Sequence, residues 1–323
     1  MKILIVGSGA MGCRFGVHFL DGGADVVLYD VWQEHVDAIN RDGLKITEKG
    51  EVRTVRIPAV TKIQDVGKVD GIVLLTKSSQ TESALKESLP AMGDKTVVMS
   101  VQNGIGNFDI IEEMIGKDRM IIGCTLTATT LTCPGEIRID SAAHSDIQAL
   151  GKIAIESFDE ICGILERGGM DVGISENVLK EIWQKLSFNA AMNPITGITR
   201  LVVGRTGQTG VDLASLISEE VCQVAEAEGI PIDRSFALNT FHFAALPGPR
   251  QDMTHLTSML QDVVKERKTE AESICGAVIR RAKKHGIPIP HLETVYSLVQ
   301  IIESNYPYQL SPQNPDPVLI KQD

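Results

Sequence analysis

The first 125 residues alternate short apolar runs with segments whose apolar positions recur at helical spacing. A short continuous apolar run is typical of a strand that is buried on both faces of a parallel sheet. Regular alternation of such strands with helices predicts an open α/β sheet. The runs predicted as strands are KILIV (2–6), DVVLY (25–29), GIVLLT (71–76), TVVMS (96–100) and MIIGC (120–124).

Two further segments predict strands outside this repeat. LKITEKGEVRTVRI (44–57) has a Lys-Gly turn between alternating runs, which predicts an added hairpin. GEIRID (135–140) is predicted as an edge strand.

From about Glu176 the spacing is helical and strand-like runs stop. LPGPRQD (246–252) is predicted as a loop that breaks the helices, and HGIPIP (285–290) ends a long helix. The proline-containing tail after Asn305 is predicted as an ordered wrap or a frayed end. We therefore expect an α/β domain with a mostly parallel sheet over 1–175 and an all-α domain over 176–323.

The turn after the first strand carries a glycine motif, GSGAMG (7–12), that opens a helix. Gly7 permits the tight turn, Gly9 lets the backbone approach a pyrophosphate, and Gly12 allows close packing of helix on strand. The helix N-terminus offers N–H groups and a positive dipole end to phosphates. The alternative is a plain strand–helix turn. A Rossmann-type dinucleotide site would use the whole turn, namely Gly7, Ser8, Gly9, Ala10, Met11 and Gly12.

Asp30 ends the second predicted strand, 18 residues beyond Gly12. A carboxylate at this place can accept hydrogen bonds from the adenosine ribose hydroxyls, and it repels the additional phosphate of NADP. The following residues, VWQEHV (31–36), include no lysine or arginine that could receive that phosphate. We expect NADH to be preferred over NADPH. The alternative role for Asp30 is the N-cap of the next helix.

Three other positions are candidates for ligand contacts. Lys77 and Asn103 follow predicted strands, at the sheet edge where open α/β sheets bind ligands, although each alone could be an ordinary loop residue. In KEIWQKLSFNAAMNP (180–194), Lys185, Asn189 and Asn193 share one side of an otherwise apolar helix. This stripe either faces solvent or presents an ammonium and two amides to a ligand.

Composition excludes several classes of protein. The chain has 323 residues and a net charge of −11, which argues against a nucleic-acid or anionic-membrane binder. Six scattered cysteines form no CxxC pair and no metal spacing, so we expect reduced thiols, a cytoplasmic location and no metal. The apolar start lacks a cleavage site, and no run is long enough to span a membrane.

Over nearly its whole length the chain resembles ketopantoate reductases, also called 2-dehydropantoate 2-reductases. The motifs that carry the resemblance are GSGAMG (7–12), LLTKSSQT (74–81), VQNGIGN (101–107), WQKLSFNAAMNPITG (183–197) and SMLQDVVKERKTE (258–270). The last two are far more specific than the glycine motif.

The resemblance implies a role for each matching residue. Lys185 would be the general acid that protonates the forming alkoxide, and Asn189 and Asn193 would bind substrate. Asn103 would lie near both nicotinamide and substrate, and Lys77 would contact the cofactor.

Two matches have alternative interpretations. Ser258 would hold the substrate carboxylate, although S-M-L-Q also fits a capping box with Ser258 as the N-cap. Glu270 would lie at the nicotinamide side of the site, although KERKTEAES also fits a solvated helical face.

The resemblance implies reduction of a small branched 2-oxo acid, with 2-dehydropantoate, which gives D-pantoate, as the leading substrate. Because a helical second domain often supplies a dimer surface, we expect a homodimer. Many NADPH-dependent members carry an arginine after the second strand, where this chain has Asp30 and Val31. In this respect the chain is more similar to NAD-dependent D-2-hydroxyacid dehydrogenases that act on branched or aromatic 2-oxo acids. That dehydrogenase activity is the alternative enzyme function. A non-catalytic NAD-binding sensor is the other alternative, and the presence of Lys185 argues against it.

Overall fold

The computed structural model of the protein describes residues 1–245 and 255–309, with the backbone alone for 242–245. Its strands are β1 Lys2–Val6, β2 Asp25–Tyr29, β3 Leu44–Glu48, β4 Glu51–Val55, β5 Ala59–Val60, β6 Val69–Leu74, β7 Met92–Ser100, β8 Met120–Thr125, β9 Thr129–Cys133, β10 Glu136–Ile139, β11 His144–Ala149 and β12 Asp171–Ile174. Its α-helices are α1 Ala10–Asp21, α2 Gln33–Asp42, α3 Thr81–Ser88, α4 Gly106–Ile115, α5 Lys152–Arg167, α6 Val178–Thr199, α7 Val203–Thr209, α8 Val211–Ala227, α9 Ser235–Ala245, α10 Ser258–Val264, α11 Ala277–His285 and α12 Pro290–Ser304.

The main sheet has eight strands in the order β12-β11-β8-β7-β6-β1-β2-β5. Every neighbouring pair is parallel except β11 with β8. The five predicted strands are confirmed as β1, β2, β6, β7 and β8, and β7 begins earlier than expected, at Met92. The prediction of an α/β domain with a mostly parallel sheet is therefore confirmed.

A second sheet of four strands, in the order β4-β3-β10-β9, was not predicted. The hairpin prediction is confirmed, since β3 and β4 pair antiparallel around Lys49 and Gly50, which both have positive φ as a two-residue hairpin turn requires. The edge prediction for 135–140 is wrong. The strand in that segment, β10, lies between β3 and β9, with Ile137 fully buried.

Four strands were missed because their sequences carry a weak signal. Two of them, β9 and β11, are largely polar, whereas β12 has only four residues and β5 only two. Strands with one partly solvated face lack the continuous apolar run that identifies β1 or β8. Their pairing therefore depends on distant partners rather than on their own composition.

After β12 the described residues contain helices and no strand, as predicted. The expected end of a long helix is confirmed, since α11 stops at His285 and Gly286 follows in the left-handed conformation. The predicted loop at 246–252 and the tail from 310 onwards lie outside the described residues. Among the helices that are described, none combines the length and the apolar character needed to cross a bilayer.

Contacts divide the chain into two compact units. The first unit contains Met1–Asn103 and Asn107–Glu181, and the second contains Gly104–Gly106 and the described residues from Ile182 onwards. The first turn of α6 therefore belongs to the first unit, a few residues beyond the domain boundary expected from sequence. In the first unit the core lies on both faces of the main sheet, with Ile5, Phe15 and Leu165 among its fully buried members.

Candidate functional site

The glycine turn has the geometry that a bound pyrophosphate requires. Gly7 has φ +87, and a Cβ there would lie 2.7 Å from the backbone nitrogen of Thr76. A Cβ on Gly12 would lie 1.9 Å from the carbonyl oxygen of Gly7, so helix α1 can approach β1 only without a side chain. Above Gly9 the space is open, because a Cβ would meet nothing within 4 Å.

The N-terminus of α1 is suited to an anion. Its first-turn N–H groups have no helical acceptor, as at every helix start. Its N-cap residue, Gly9, has no side chain that could cap this end, and the first turn contains no acidic residue. The open space at Gly9 and these N–H groups of Ala10 and Met11 form a backbone cradle that fits the phosphates of a dinucleotide.

Asp30 is fixed by two hydrogen bonds at the end of β2. The Ser8 hydroxyl donates to one carboxylate oxygen over 3.3 Å, and the backbone N–H of Trp32 donates to the other over 3.0 Å. The alternative interpretation of Asp30 as a helix N-cap is wrong, because Trp32 occupies that position and α2 begins at Gln33. Asp30 is instead tied to the glycine turn through Ser8.

Lys77 and Asn103 lie just beyond the carboxyl ends of β6 and β7, which are neighbouring parallel strands. Lys77 is exposed and Asn103 is partly buried. The first unit therefore carries the glycine turn, Asp30, Lys77 and Asn103 beyond the carboxyl ends of four consecutive strands, β2, β1, β6 and β7.

A buried polar network fixes these loops, and sequence reasoning missed it. The Gln102 amide donates to the carbonyl of Thr76 over 2.7 Å and to the hydroxyl of Thr81 over 3.0 Å. That hydroxyl donates to the Asn107 side chain over 2.9 Å, and Asn107 donates to the carbonyl of Asn103 over 3.0 Å. Polar residues directly after two strand ends were the signal that could have identified the network.

The stripe on α6 is not a solvated face. Asn193 is only 4% exposed, and Lys185 and Asn189 are partly buried. Residues on either side of the stripe, including Leu186 and Ala190, are also buried. The solvent-facing interpretation is therefore wrong for Asn193.

A chain of hydroxyl groups joins α6 to the start of α10. The Thr196 hydroxyl donates to the carbonyl of Asn193 over 2.9 Å and lies 2.7 Å from the hydroxyl of Thr257. Because the Thr196 proton is already used, Thr257 donates to Thr196, and it accepts the Leu260 N–H over 3.1 Å. Thr257 is thus the N-cap of α10, and the alternative interpretation of Ser258 as the N-cap is wrong.

Ser258 is the first residue of α10 and is partly buried. The Thr196–Thr257 link places it at a defined position relative to Asn193, in the second unit. The two threonines were not singled out from the sequence, because nothing in their local pattern shows that they meet.

Glu270 precedes a π-helical turn, Glu272–Gly276. Its side chain is only 7% exposed, so the solvated-face interpretation is wrong. The hydroxyl of Ser273 donates to the Glu270 carbonyl over 3.1 Å, and the Ser273 carbonyl accepts the Ile105 N–H over 3.1 Å. Single π-helical turns within helices occur frequently at functional sites.

The π-helical turn also contacts α6 at the place where Pro194 removes a backbone hydrogen bond. Pro194 has no N–H, so the carbonyl of Ala190 loses its usual helical donor. The thiol of Cys275 lies 4.0 Å from that oxygen and donates to it. Burial raises the pKa of Cys275 far above its ordinary value, which keeps this thiol protonated.

Together, fold and site define a class, the oxidoreductases that join an N-terminal dinucleotide-binding domain to a helical C-terminal domain. The family model "Ketopantoate reductase PanE/ApbA" matches residues 3–152, and the model of that family's C-terminal region matches residues 177–303. The chain belongs to the ketopantoate reductase family.

Individual relatives agree with this assignment over almost their full lengths. A 2-dehydropantoate 2-reductase of Lactococcus lactis is 32% identical over 304 residues, which are 93% of this chain and 97% of that protein. The structure of D-mandelate dehydrogenase with NADH and anilino(oxo)acetate is 31% identical, with a TM-score of 0.88 over 94% of this chain and 99% of that one. A PanE/ApbA family ketopantoate reductase from Ralstonia eutropha is 28% identical, with a TM-score of 0.84 over 94% and 99% of the two chains.

Proposed function

We propose that the protein reduces a small branched 2-oxo acid with NADH and that 2-dehydropantoate, giving D-pantoate, is the leading substrate. The observation that carries this proposal is the line of Lys185, Asn189 and Asn193 on an otherwise buried face of α6. The family assignment supports it, since relatives about 30% identical over nearly the whole chain carry the name 2-dehydropantoate 2-reductase.

In this proposal Lys185 is the catalytic acid. When hydride reaches the ketone carbon, the carbonyl π electrons move to oxygen, and negative charge develops there. The ammonium of Lys185 stabilises that charge and transfers a proton to the oxygen, which leaves a neutral amine and a hydroxyl product. The amine regains its proton from water before the next turnover.

The substrate groups are held by neutral donors and acceptors. Asn189 and Asn193 lie one and two helical turns beyond Lys185, so their amides can bind the substrate hydroxyl and carbonyl groups. Ser258 at the start of α10 would bind the substrate carboxylate, where the helix N-terminus also favours negative charge. Asn103 would contact both substrate and nicotinamide.

The residues of the first unit fit a nicotinamide dinucleotide, which supplies the hydride when bound. The backbone of Gly7–Gly12 would hold the pyrophosphate, Asp30 the adenosine ribose, and Lys77 a further part of the cofactor. Glu270 would lie at the side of the site where the nicotinamide ring binds. Asp30 is the reason for proposing NADH, because residues 31–36 place no lysine or arginine beside it.

A second candidate is an NAD-dependent D-2-hydroxyacid dehydrogenase for other branched or aromatic 2-oxo acids. The observation that favours it is the similarity to D-mandelate dehydrogenase, which is described in complex with NADH. The chemistry at Lys185 would be the same, and only the side chain of the substrate would differ.

A substrate panel separates the candidates. Purified protein is assayed with 2-dehydropantoate, 2-oxoisovalerate and phenylglyoxylate, each with NADH and with NADPH, and kcat/KM values are compared. The proposal expects the highest value for 2-dehydropantoate with NADH, whereas a higher value for phenylglyoxylate supports the second candidate. Failure to oxidise either cofactor with any 2-oxo acid contradicts both.

We also propose a cytoplasmic homodimer whose helical unit supplies the substrate groups and the dimer surface. All six cysteines are free thiols, and five of them are buried, which suits a reducing compartment.

A further inference from the structure

His35 is a fully buried histidine in α2 whose two ring nitrogens both have backbone partners. Its Nε2 lies 2.8 Å from the carbonyl oxygen of Ser8, and its Nδ1 lies 3.0 Å from the backbone nitrogen of Gly135. Because a backbone N–H can only donate, Nδ1 accepts and Nε2 carries the proton that is donated to Ser8. The neighbours therefore select one neutral tautomer.

The imidazole joins three parts of the first unit. Ser8 lies within the glycine turn, His35 lies on α2, and Gly135 lies in the turn between β9 and β10 of the second sheet. Gly135 packs closely on α2, since a Cβ there would lie 2.9 Å from Ala38 Cβ. The position of the Ser8 carbonyl thus depends on a sheet that is remote from it in sequence.

Other groups around the ring are consistent with a neutral imidazole. Trp32 stacks on His35 with ring centroids 5.4 Å apart. The Cys13 thiol, which donates to the same Ser8 carbonyl over 3.0 Å, stays protonated because burial raises its pKa. Burial lowers the pKa of His35 below its ordinary value, opposed by its hydrogen bond to Ser8 and by the charge of Asp30.

We infer that His35 is a positioning residue for the dinucleotide, which holds the Ser8 carbonyl inward so that the N–H groups of the glycine turn point outward to the pyrophosphate. The inference rests on the proposed cofactor site, and nothing in the family motifs of the sequence identifies it. A peptide plane has its carbonyl and its N–H on opposite sides, so anchoring the Ser8 carbonyl also orients the Gly9 N–H.

Protonation breaks this arrangement. An added proton at Nδ1 would face the Gly135 N–H, and two donors cannot bond to each other. Acid should therefore weaken NADH binding as His35 becomes protonated, at a pH below the ordinary histidine range.

The test measures the dissociation constant of NADH for folded variants that remove one hydrogen bond at a time. His35→Gln places an amide N–H near the position of Nε2 and retains the bond to Ser8. His35→Asn places an amide oxygen near the position of Nδ1, which retains the bond to Gly135 and loses the one to Ser8. His144→Gln, which changes a partly exposed histidine of the same unit, is the control.

We expect His35→Asn to weaken NADH binding about tenfold, as for loss of a buried hydrogen bond, and His35→Gln to weaken it less. The kcat at saturating NADH should change little in either variant. In the unmodified protein the dissociation constant should rise as the pH falls below 6.5 towards the lowest pH at which the protein stays folded, and this rise should be smaller in His35→Gln.

A pH-independent dissociation constant in the unmodified protein, or unchanged affinity in His35→Asn, overturns the inference. The first measurement needs no variant, so misfolding of a variant leaves the inference testable. If the unmodified protein binds neither NADH nor NADPH, the proposed function fails instead.

Discussion

At the scale of single residues, the proposed chemistry depends most directly on Lys185. Lys185 is partly buried and shares a helix face with Asn193, which is almost completely buried. A positive charge near apolar surroundings interacts more strongly with a developing oxyanion than it would in water.

Lys185→Ala should lower kcat by about 10² to 10³-fold, as for loss of one oxyanion-stabilising donor. The dissociation constant of NADH should change little, because the cofactor groups lie on other residues. Lys180→Ala, in the first turn of the same helix, is the matched control and should keep normal turnover. Steady-state kinetics and an NADH titration measure both effects, and near-normal kcat in Lys185→Ala would remove the lysine from the mechanism.

In the proposed function, Asp30 is the residue that favours NADH over NADPH. The 2′-phosphate of NADPH carries close to two negative charges, and at roughly 4 to 6 Å its repulsion by a carboxylate amounts to several kcal/mol before screening reduces it. We expect NADH to be preferred by at least about tenfold in kcat/KM, or roughly 1.4 kcal/mol.

The double variant Asp30→Ser, Val31→Arg should narrow or reverse that preference. It removes the repelling carboxylate and adds a guanidinium that can pair with phosphate. Asp37→Ser, which removes an exposed carboxylate of α2, should leave the preference unchanged. Equal kcat/KM values with the two cofactors in the unmodified protein would show that Asp30 does not discriminate.

At the scale of secondary-structure elements, Thr257 joins the two helices, α6 and α10, that carry the proposed substrate residues. It caps α10 through the Leu260 N–H and donates to Thr196 of α6. Both threonines are buried, so water cannot replace either partner.

Thr257→Val keeps the side-chain shape and removes both hydrogen bonds. It should lower the free energy of unfolding by about 1 to 2 kcal/mol, as for loss of an N-cap, and it should raise KM for the 2-oxo acid by displacing Ser258. Thr257→Ser retains the hydroxyl and should stay close to the unmodified protein in both respects. Urea unfolding and steady-state kinetics provide the measurements, and equal values for the two variants would contradict the role assigned to the hydroxyl.

The pairing of β11 with β12 includes a pH-dependent contact. His144 Nδ1 lies 2.7 Å from Asp171 and its Nε2 lies 3.2 Å from Asp146. Partial burial lowers the pKa of His144, but the hydrogen bonds to Asp171 and Asp146 raise it more, and the net pKa is above the ordinary 6.5. A raised pKa means that the contact stabilises the fold fully below pH 6.5 and is lost as pH rises through the pKa of the folded state.

The difference in unfolding free energy between the unmodified protein and His144→Gln should therefore be larger at pH 5.5 than at pH 8.5. Because these side chains are partly exposed, the change should be at most about 1 kcal/mol, and salt should reduce it. Comparing the two proteins at each pH cancels the opposite contributions of His18 and His35, whose pKa values are lowered by burial. A constant difference across this range would contradict the assignment.

At the scale of the whole molecule, the helical unit exposes large apolar side chains on three helices. Leu216 on α8, Phe236 on α9 and Ile301 on α12 are 49%, 38% and 59% exposed. Single exposed apolar residues are common, so their grouping on the unit proposed to dimerise is what makes them candidates for a subunit interface.

We expect light scattering after gel filtration to give twice the 35.0 kDa chain mass. Leu216→Glu or Ile301→Glu should lower that mass to the monomer value by burying a charge at the interface. Ile155→Glu, at a 63% exposed position of the first unit, is the matched control and should leave the mass unchanged. A monomeric mass for the unmodified protein would contradict the homodimer.

The class of fold and most of the candidate residues could be predicted from local sequence patterns. Buried parallel strands need continuous apolar runs, and a tight strand–helix turn that approaches a phosphate needs glycine. Both features depend only on residues that are neighbours in sequence. The same holds for the stripe on α6, because helical spacing alone brings Lys185, Asn189 and Asn193 into line.

Contacts between polar residues that are far apart in sequence could not be predicted, because they depend on how the chain folds. The second sheet pairs β3 with β10, two predicted strands whose own patterns do not show that they pair, and this pairing brings Gly135 to His35. The N-cap of α10 is likewise Thr257 rather than Ser258, because Thr196 of α6 supplies a buried partner for its hydroxyl. Each of these two contacts needs one hydrogen-bond partner that the fold brings close, and the local sequence does not identify that partner.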